Sequence, residues 1–318
     1  MLEPGRGLEE RNEHTKDSAS LLMKQAAPTQ LLSREIRITP GIFGNSGFSV
    51  GSRRNGNYAI ISRFGLQILM RILRRLHYWW SLLVAATLLL IFGPPVIFAA
   101  WITRKHDLVY PWALFGARNW LRLSGAKVHV TGAEQLEPDQ TYVFISNHRS
   151  YLDTATLFVY TGRRLGLLAK KELLNVPILG YGMGFVNVMA IDRSNRERAR
   201  QTVEAATARI RSGRSFGVFA EGTRAKPGEF LPFKKGAFYM AAQAGVPIVP
   251  VAIKNTDQLM GKGTGEAMSG TIEMVMLPPI STTGRTTDED VKDLVSRVHS
   301  LIGRELGVFE NNPRSQTS

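Results

Sequence analysis

The chain is predicted to fold as an α/β domain, an open twisted mixed sheet flanked by helices, preceded by N-terminal membrane-associating helices. Three observations carry this prediction. Past residue 125, short β-branched and apolar runs alternate with helical stretches, which is the pattern of a sheet covered by helices. Two of those runs stop abruptly at polar clusters, Asn147-His148 and Glu221-Gly222-Thr223-Arg224. From Trp79 to Ile102 the chain is apolar and uncharged, close to the roughly 20 residues that cross a bilayer core.

In chain order, residues 1–65 lack hydrophobic periodicity and predict a disordered extension. The acids Glu3, Glu9, Glu10, Glu13 and Asp17 come early and no apolar run follows the start, which argues against a targeting peptide. Residues 66–125 predict membrane-associating helices. Trp79, Trp80 and Trp101 stand near the ends of the apolar run like interfacial anchors, and Arg71, Arg74, Arg75, Arg104 and Lys105 flank both sides. Pro94-Pro95 predicts a break, so a helix that enters and returns stands against a full span. Val109 to Leu123 mixes Trp112, Phe115 and Trp120 with Arg118 and Arg122, the composition of an amphipathic interfacial helix.

Residues 126–308 predict the α/β domain and 309–318 a polar tail. Strands are expected at Lys127–Thr131, Thr141–Ser146, Leu165–Ala169, Val186–Ile191, Phe216–Ala220, Ile248–Ile253 and Thr271–Met276. Ser194 to Glu197 reads as a capping box opening a helix to about Ile210, and Thr287 to Asp290 caps a last helix to about Leu306. Leu173 to Gly184, apolar and glycine-rich, reads as a buried packing segment, with an acyl-chain groove as the alternative.

The first polar cluster constrains its own geometry. On one continuous helix His148 and Asp153 would point about 140° apart. With Ser150 as N-cap and Asp153 at N3, the carboxylate instead reaches back toward the loop that holds His148. A carboxylate on one ring nitrogen fixes the tautomer and frees the other nitrogen to take a proton from a hydroxyl, a general-base dyad. A capped helix beside a solvated histidine fits this stretch equally well. At the second cluster, Gly222 permits a tight turn, Arg224 offers a planar donor fork for a phosphate, and Glu221 can accept from a ligand hydroxyl. A surface β-turn with a Glu-Arg pair is the competing reading. Open α/β sheets bind ligands outside the carboxyl ends of their strands, so both clusters could feed one crevice.

Four blocks, in order and spacing, resemble the 1-acylglycerol-3-phosphate acyltransferase family of glycerolipid acyltransferases. NHRSYLD at 147–153 looks like its NHxxxxD block, GFVNVMAIDR at 184–193 like the block ending in Asp-Arg, FAEGTR at 219–224 like FPEGTR, and VPIVPVAI at 246–253 like its closing block. The likeness covers about Lys127 to Ile253. Ala220 stands where the family usually has proline, a change expected to alter rigidity more than chemistry.

The resemblance implies His148 as base, Asp153 as its orienting partner, and a grip on a phosphate-bearing acceptor by Arg193, Glu221, Gly222, Thr223, Arg224 and Lys234, with Lys235 nearby. It implies a fatty acyl group passing from acyl-CoA or acyl carrier protein, as co-substrate and with no cofactor, to lysophosphatidic acid. The product is phosphatidic acid. Glycerol 3-phosphate or another lysolipid as acceptor, or a catalytically silent membrane-binding protein of the same fold, are the alternatives. No cysteine exists, and Ser146 and Ser150 have no evident second base, which favours direct attack by the lipid hydroxyl over an acyl-enzyme. The helix start beside Ser150 is the candidate oxyanion site. By the same resemblance the chain is expected to be monotopic or re-entrant, with the catalytic domain facing the cytoplasm, and the lack of organelle signals points to a bacterial inner membrane.

Composition narrows the partners. Forty Lys and Arg against 26 Asp and Glu give a formal charge of +14, which suits an anionic partner. No basic-aromatic nucleic-acid motif is present, so nucleic acid is not expected and an anionic bilayer fits the apolar segments better. The absence of cysteine excludes disulfides and cysteine metal sites. His14, His77, His106, His129 and His299 are scattered without ligand spacing, so no catalytic metal is predicted.

Overall fold

The structure, a computed structural model, describes residues 55–285 and 287–309. Most of the expected N-terminal extension and nearly all of the expected tail lie outside these residues. The end of that extension is instead helical, because α1 already begins at Asn55.

Helix α1 (Asn55–Thr103) runs unbroken through Pro94 and Pro95, which corrects the expected break. Gly93 lacks the Cβ that clashes with a following proline ring, which relieves that restriction at Pro94. Its Gly65–Thr103 stretch is long and apolar enough to cross a membrane, and little of it is buried in the protein. A turn of 3₁₀ helix at His106–Leu108 leads into α2 (Val109–Leu123), which lies antiparallel along α1. Trp80 Nε1 donates to Leu123 O at 3.0 Å, Ser81 and Ser124 share a 2.7 Å hydroxyl bond, and further along Phe92 stacks on Trp112 at 6.0 Å.

The α/β elements follow as β1 (Ala126–Thr131), β2 (Val143–Ser146), α3 (Tyr151–Tyr160), β3 (Leu165–Lys170), α4 (Leu179–Met183), β4 (Val188–Ile191), α5 (Arg196–Arg211), β5 (Ser215–Phe219), α6 (Gly236–Ala244), β6 (Ile248–Lys254), α7 (Thr256–Met260), β7 (Gly270–Met276) and α8 (Asp288–Glu305). The seven strands form one mixed sheet in the order β1-β7-β6-β2-β5-β3-β4. Strands β6, β2, β5, β3 and β4 are parallel, while β7 pairs antiparallel with β6 and carries β1 with it.

Alternation along the strands builds two cores. Val143 and Ile145 of β2 face Ala206 and Ile210 of α5, Phe238 and Ala241 of α6, and Leu294 and Val298 of α8. Phe144, with Val249 and Val251 of β6, faces Leu152, Leu157 and Phe158 of α3 and Leu121 of α2. All four residues of β2 are buried, as a central strand covered on both faces requires. Ser146 and Phe219 are register partners, so the parallel strands β2 and β5 end side by side. That pairing sets Asn147-His148 next to Ala220-Glu221.

One cap differs from expectation. Helix α5 is capped by Asn195, whose side chain accepts from Arg198 N, one residue after the expected Ser194. Ser194 is engaged elsewhere, its hydroxyl donating to Asp192 Oδ1 at 2.6 Å.

Candidate active site

The site is built where β2 turns into α3. Ser150, extended at φ −141°, caps α3 by accepting from Leu152 N, and Asp153 closes the capping box. Asp153 is fully buried, and its Oδ2 takes hydrogen bonds from Arg149 N (2.6 Å) and Ser150 N (2.7 Å). The same oxygen lies 2.9 Å from His148 Nδ1. Two backbone donors therefore fix the carboxylate before the imidazole meets it. The ring is held from the other side by Phe219, stacked at 4.1 Å and 18°. With Nδ1 committed to the carboxylate, Nε2 is the remaining ring nitrogen, and 15% of the His148 side chain is exposed.

Glu221 stands directly behind this loop. It is 2% exposed, with Oε1 accepting from His148 N (2.8 Å) and Oε2 from Leu231 N (3.3 Å). Burial pushes its carboxyl up to about 7, opposed by those two backbone donors and by the Arg149 charge. Both Glu221 oxygens thus accept from backbone N–H groups, one of them that of His148, which ties Glu221 to the loop that carries the histidine.

The other predicted residues gather on the turn that follows. Gly222 adopts φ +72°, and a Cβ there would come 2.9 Å from Lys234 Cε, so Lys234 lies across the turn. Arg193, from the end of β4, donates to Gly222 O. Thr223 is exposed in the same turn. The Arg224 guanidinium lies over the Tyr151 ring, 3.6 Å from its centroid, which presets the orientation of its fork. Lys235 turns away to pair with Asp288 at 3.0 Å and does not join the site.

Several expectations are altered by these bonds. The N–H groups of Arg149, Ser150 and Leu152 are already taken, so the start of α3 does not offer them to an oxyanion. Ser146 and Ser150 are fully buried, their hydroxyls donating to Asn147 O and Met260 O. Ala220 donates its N–H to Ser146 O at 3.2 Å, a bond that a proline there could not make. Leu173, Leu174, Val176 and Tyr181 are exposed, against the expected buried packing segment.

Sequence reasoning missed Arg149. Its side chain is 10% exposed, donates to Glu229 O at 3.0 Å, and lies 3.5 Å from Asp257 Oδ2, tying the dyad loop to the loop at Glu229 and to the start of α7. It also missed Tyr151, the platform for Arg224, and Leu231, the second donor to Glu221. Arg149 and Tyr151 stand inside the quoted NHRSYLD block, but their partners lie too far along the chain for local spacing to show.

The His148–Asp153 contact and the cationic turn beside it thus stand together at the carboxyl ends of the parallel strands β2 and β5. Residues 127–254 match the family model described as Acyltransferase. Over 182 residues it is 38% identical to human 1-acyl-sn-glycerol-3-phosphate acyltransferase alpha, covering 57% of this chain and 64% of that one. A Saccharomyces cerevisiae protein named 1-acyl-sn-glycerol-3-phosphate acyltransferase is 38% identical over 168 residues, 52% of this chain and 55% of that one. The chain thus spans less than two thirds of either relative. The fold is that of the crystal structure of PlsC, the LPA acyltransferase of Thermotoga maritima, with a TM-score of 0.65 at 22% identity over 78% of this chain and 99% of that one.

Proposed function

We propose that the protein transfers a fatty acyl group from acyl-CoA or acyl carrier protein to the free hydroxyl of lysophosphatidic acid, giving phosphatidic acid. The observation that carries this is the 2.9 Å contact between His148 Nδ1 and an Asp153 oxygen fixed by two backbone donors. In this reading His148 Nε2 takes the acceptor's hydroxyl proton as its oxygen attacks the thioester carbonyl. Asp153 stabilises the imidazolium that forms. The tetrahedral intermediate then collapses, the C–S bond breaks, and the departing thiolate takes the proton back from His148. Burial of both neighbouring serine hydroxyls supports this direct attack over an acyl-enzyme.

Arg193, Arg224 and Lys234, gathered around Gly222 and Thr223, bind the acceptor phosphate, with Arg224 as the bidentate group. Glu221 acts one step removed by holding the His148 loop. The apolar helix α1 attaches the enzyme to the bilayer, with the catalytic face toward the cytoplasm of a bacterial inner membrane as the finer part of the proposal. Protease accessibility of the α/β domain in sealed membranes of known orientation tests that part.

The substrate assignment is tested with purified, reconstituted protein offered lysophosphatidic acid, glycerol 3-phosphate or a lysophosphatidylcholine, each with acyl-CoA and with acyl carrier protein. Turnover restricted to lysophosphatidic acid is expected. Turnover only on another acceptor replaces the substrate and leaves the mechanism standing, whereas no turnover by folded, membrane-bound protein makes the silent fold the better account.

A further inference from the structure

The crossover between β3 and β4 is apolar on its outside. From Leu173 to Ile191 it carries no charged side chain. Leu173, Leu174, Val176 and Tyr181, 38% to 63% exposed, are four of the eight large apolar side chains exposed beyond residue 125 among the described residues. Contiguous exposed apolar surface of this kind marks an interaction site, and its surroundings identify the partner.

The crossover sits against the exposed apolar part of α1. A Cβ on Gly93 would meet Ile178 Cγ2 at 2.6 Å, so the absence of that carbon is what lets the two segments touch. A Cβ on Gly182 would reach Ile97 Cδ1 at 3.5 Å. Ile178 holds φ +66°, a strained value for a β-branched residue, at the point of contact with α1. Around Gly93 and Ile97, the α1 residues Leu90, Ile91, Phe98 and Trp101 are themselves exposed. The apolar surface is therefore continuous from α1 onto the crossover. Where the crossover leaves β3, at the same sheet edge as the dyad, stand Lys170 and Lys171. Lys171 bonds Asp192 Oδ2 at 2.9 Å, beside Arg193. Lys170 in turn pairs with Glu172 at 3.2 Å, so the apolar surface is bordered by ion-paired polar heads, which suit the headgroup layer above acyl chains.

We propose that the β3–β4 crossover is a second bilayer-contact element. Leu173, Leu174, Val176 and Tyr181 insert among lipid acyl chains beside α1, so that the crossover and α1 present one continuous membrane-facing surface. This rests on the reading of α1 as membrane-bound.

The chain has no cysteine, so single labels can be placed without background. Leu174→Cys and Tyr181→Cys, with Leu83→Cys on exposed α1 as reference and Gln201→Cys on α5 as control, each carry one environment-sensitive fluorophore. The full-length protein is reconstituted in phosphatidylethanolamine–phosphatidylglycerol vesicles with and without brominated acyl chains. The expected result is bromine quenching at 174 and 181 comparable to that at 83, with none at 201. Quenching at 83 but at neither 174 nor 181 overturns this proposal and leaves the membrane reading of α1 intact. That outcome also covers a crossover that shields its side chains in an acyl groove. Loss of quenching at all three overturns both readings.

Discussion

At the scale of single residues, Asp153 is the organising group, because one oxygen serves the helix cap and the histidine together. Asp153→Asn is therefore expected to damage both: it should lower turnover by about 10²-fold or more and cost about 1 kcal/mol or more of stability, readable by kinetics and urea melts. Glu221 predicts a pH effect. Its carboxyl keeps its proton up to about 7 when folded, against 4.5 as the ordinary value. Across that window the folded state binds the extra proton, so this group's contribution to stability falls as pH rises from 4.5 to about 7 and is level above. Glu221→Gln removes that slope, so the variant should gain on wild type as pH rises through the window, measured by urea midpoints at its two ends. A steeper loss in the variant would contradict the assignment. The S-x-x-D cap made a contact between His148 and Asp153 possible in sequence, and the resemblance of the four blocks, not the local spacing, favoured it over a solvated histidine. The burial of Glu221 was not, since E-G-T-R reads equally as a surface turn and its second donor comes from Leu231, across the intervening loop.

At the scale of elements, all seven expected strands are present, since each is a short apolar run bounded by turn residues and its period survives any tertiary context. The misreadings fall where two signals compete. Ser194 and Asn195 are both good caps, and Asp192 decides between them by engaging the serine hydroxyl. Asn195→Ala should thus cost about 1 kcal/mol as a lost cap. Pro94-Pro95 misleads because the rule for interior proline weighs lost hydrogen bonds and clashes but does not see Gly93 before the pair. Ala220→Pro would bring the chain to the usual pattern of the resembled family, yet it removes the N–H bond to Ser146 O. It is expected to lower stability by about 1 kcal/mol, with activity retained. A stabilised variant would show that the strand end relaxes to fit the ring.

At the scale of the whole molecule, the sheet's carboxyl edge brings together the ends of β2, β3, β4 and β5, and with them the dyad and its cations. The helices α1 and α2 add an apolar surface to a chain of formal charge +14. Activity on vesicles is accordingly expected to rise with anionic lipid content and to fall as salt screens that attraction, more for anionic than for neutral vesicles. The long apolar helix was legible from its length and lack of charge, but the apolar outside of the crossover was not, because glycine-rich apolar sequence reads the same whether protein or lipid covers it. The central claim is that His148 is the base. It is tested most directly by initial rates of acyl transfer to lysophosphatidic acid for wild type and His148→Ala, reconstituted side by side and matched for circular dichroism and membrane retention. The account predicts a loss of about 10²–10⁴-fold in the variant with both controls unchanged; a variant that turns over at the wild-type rate would contradict it.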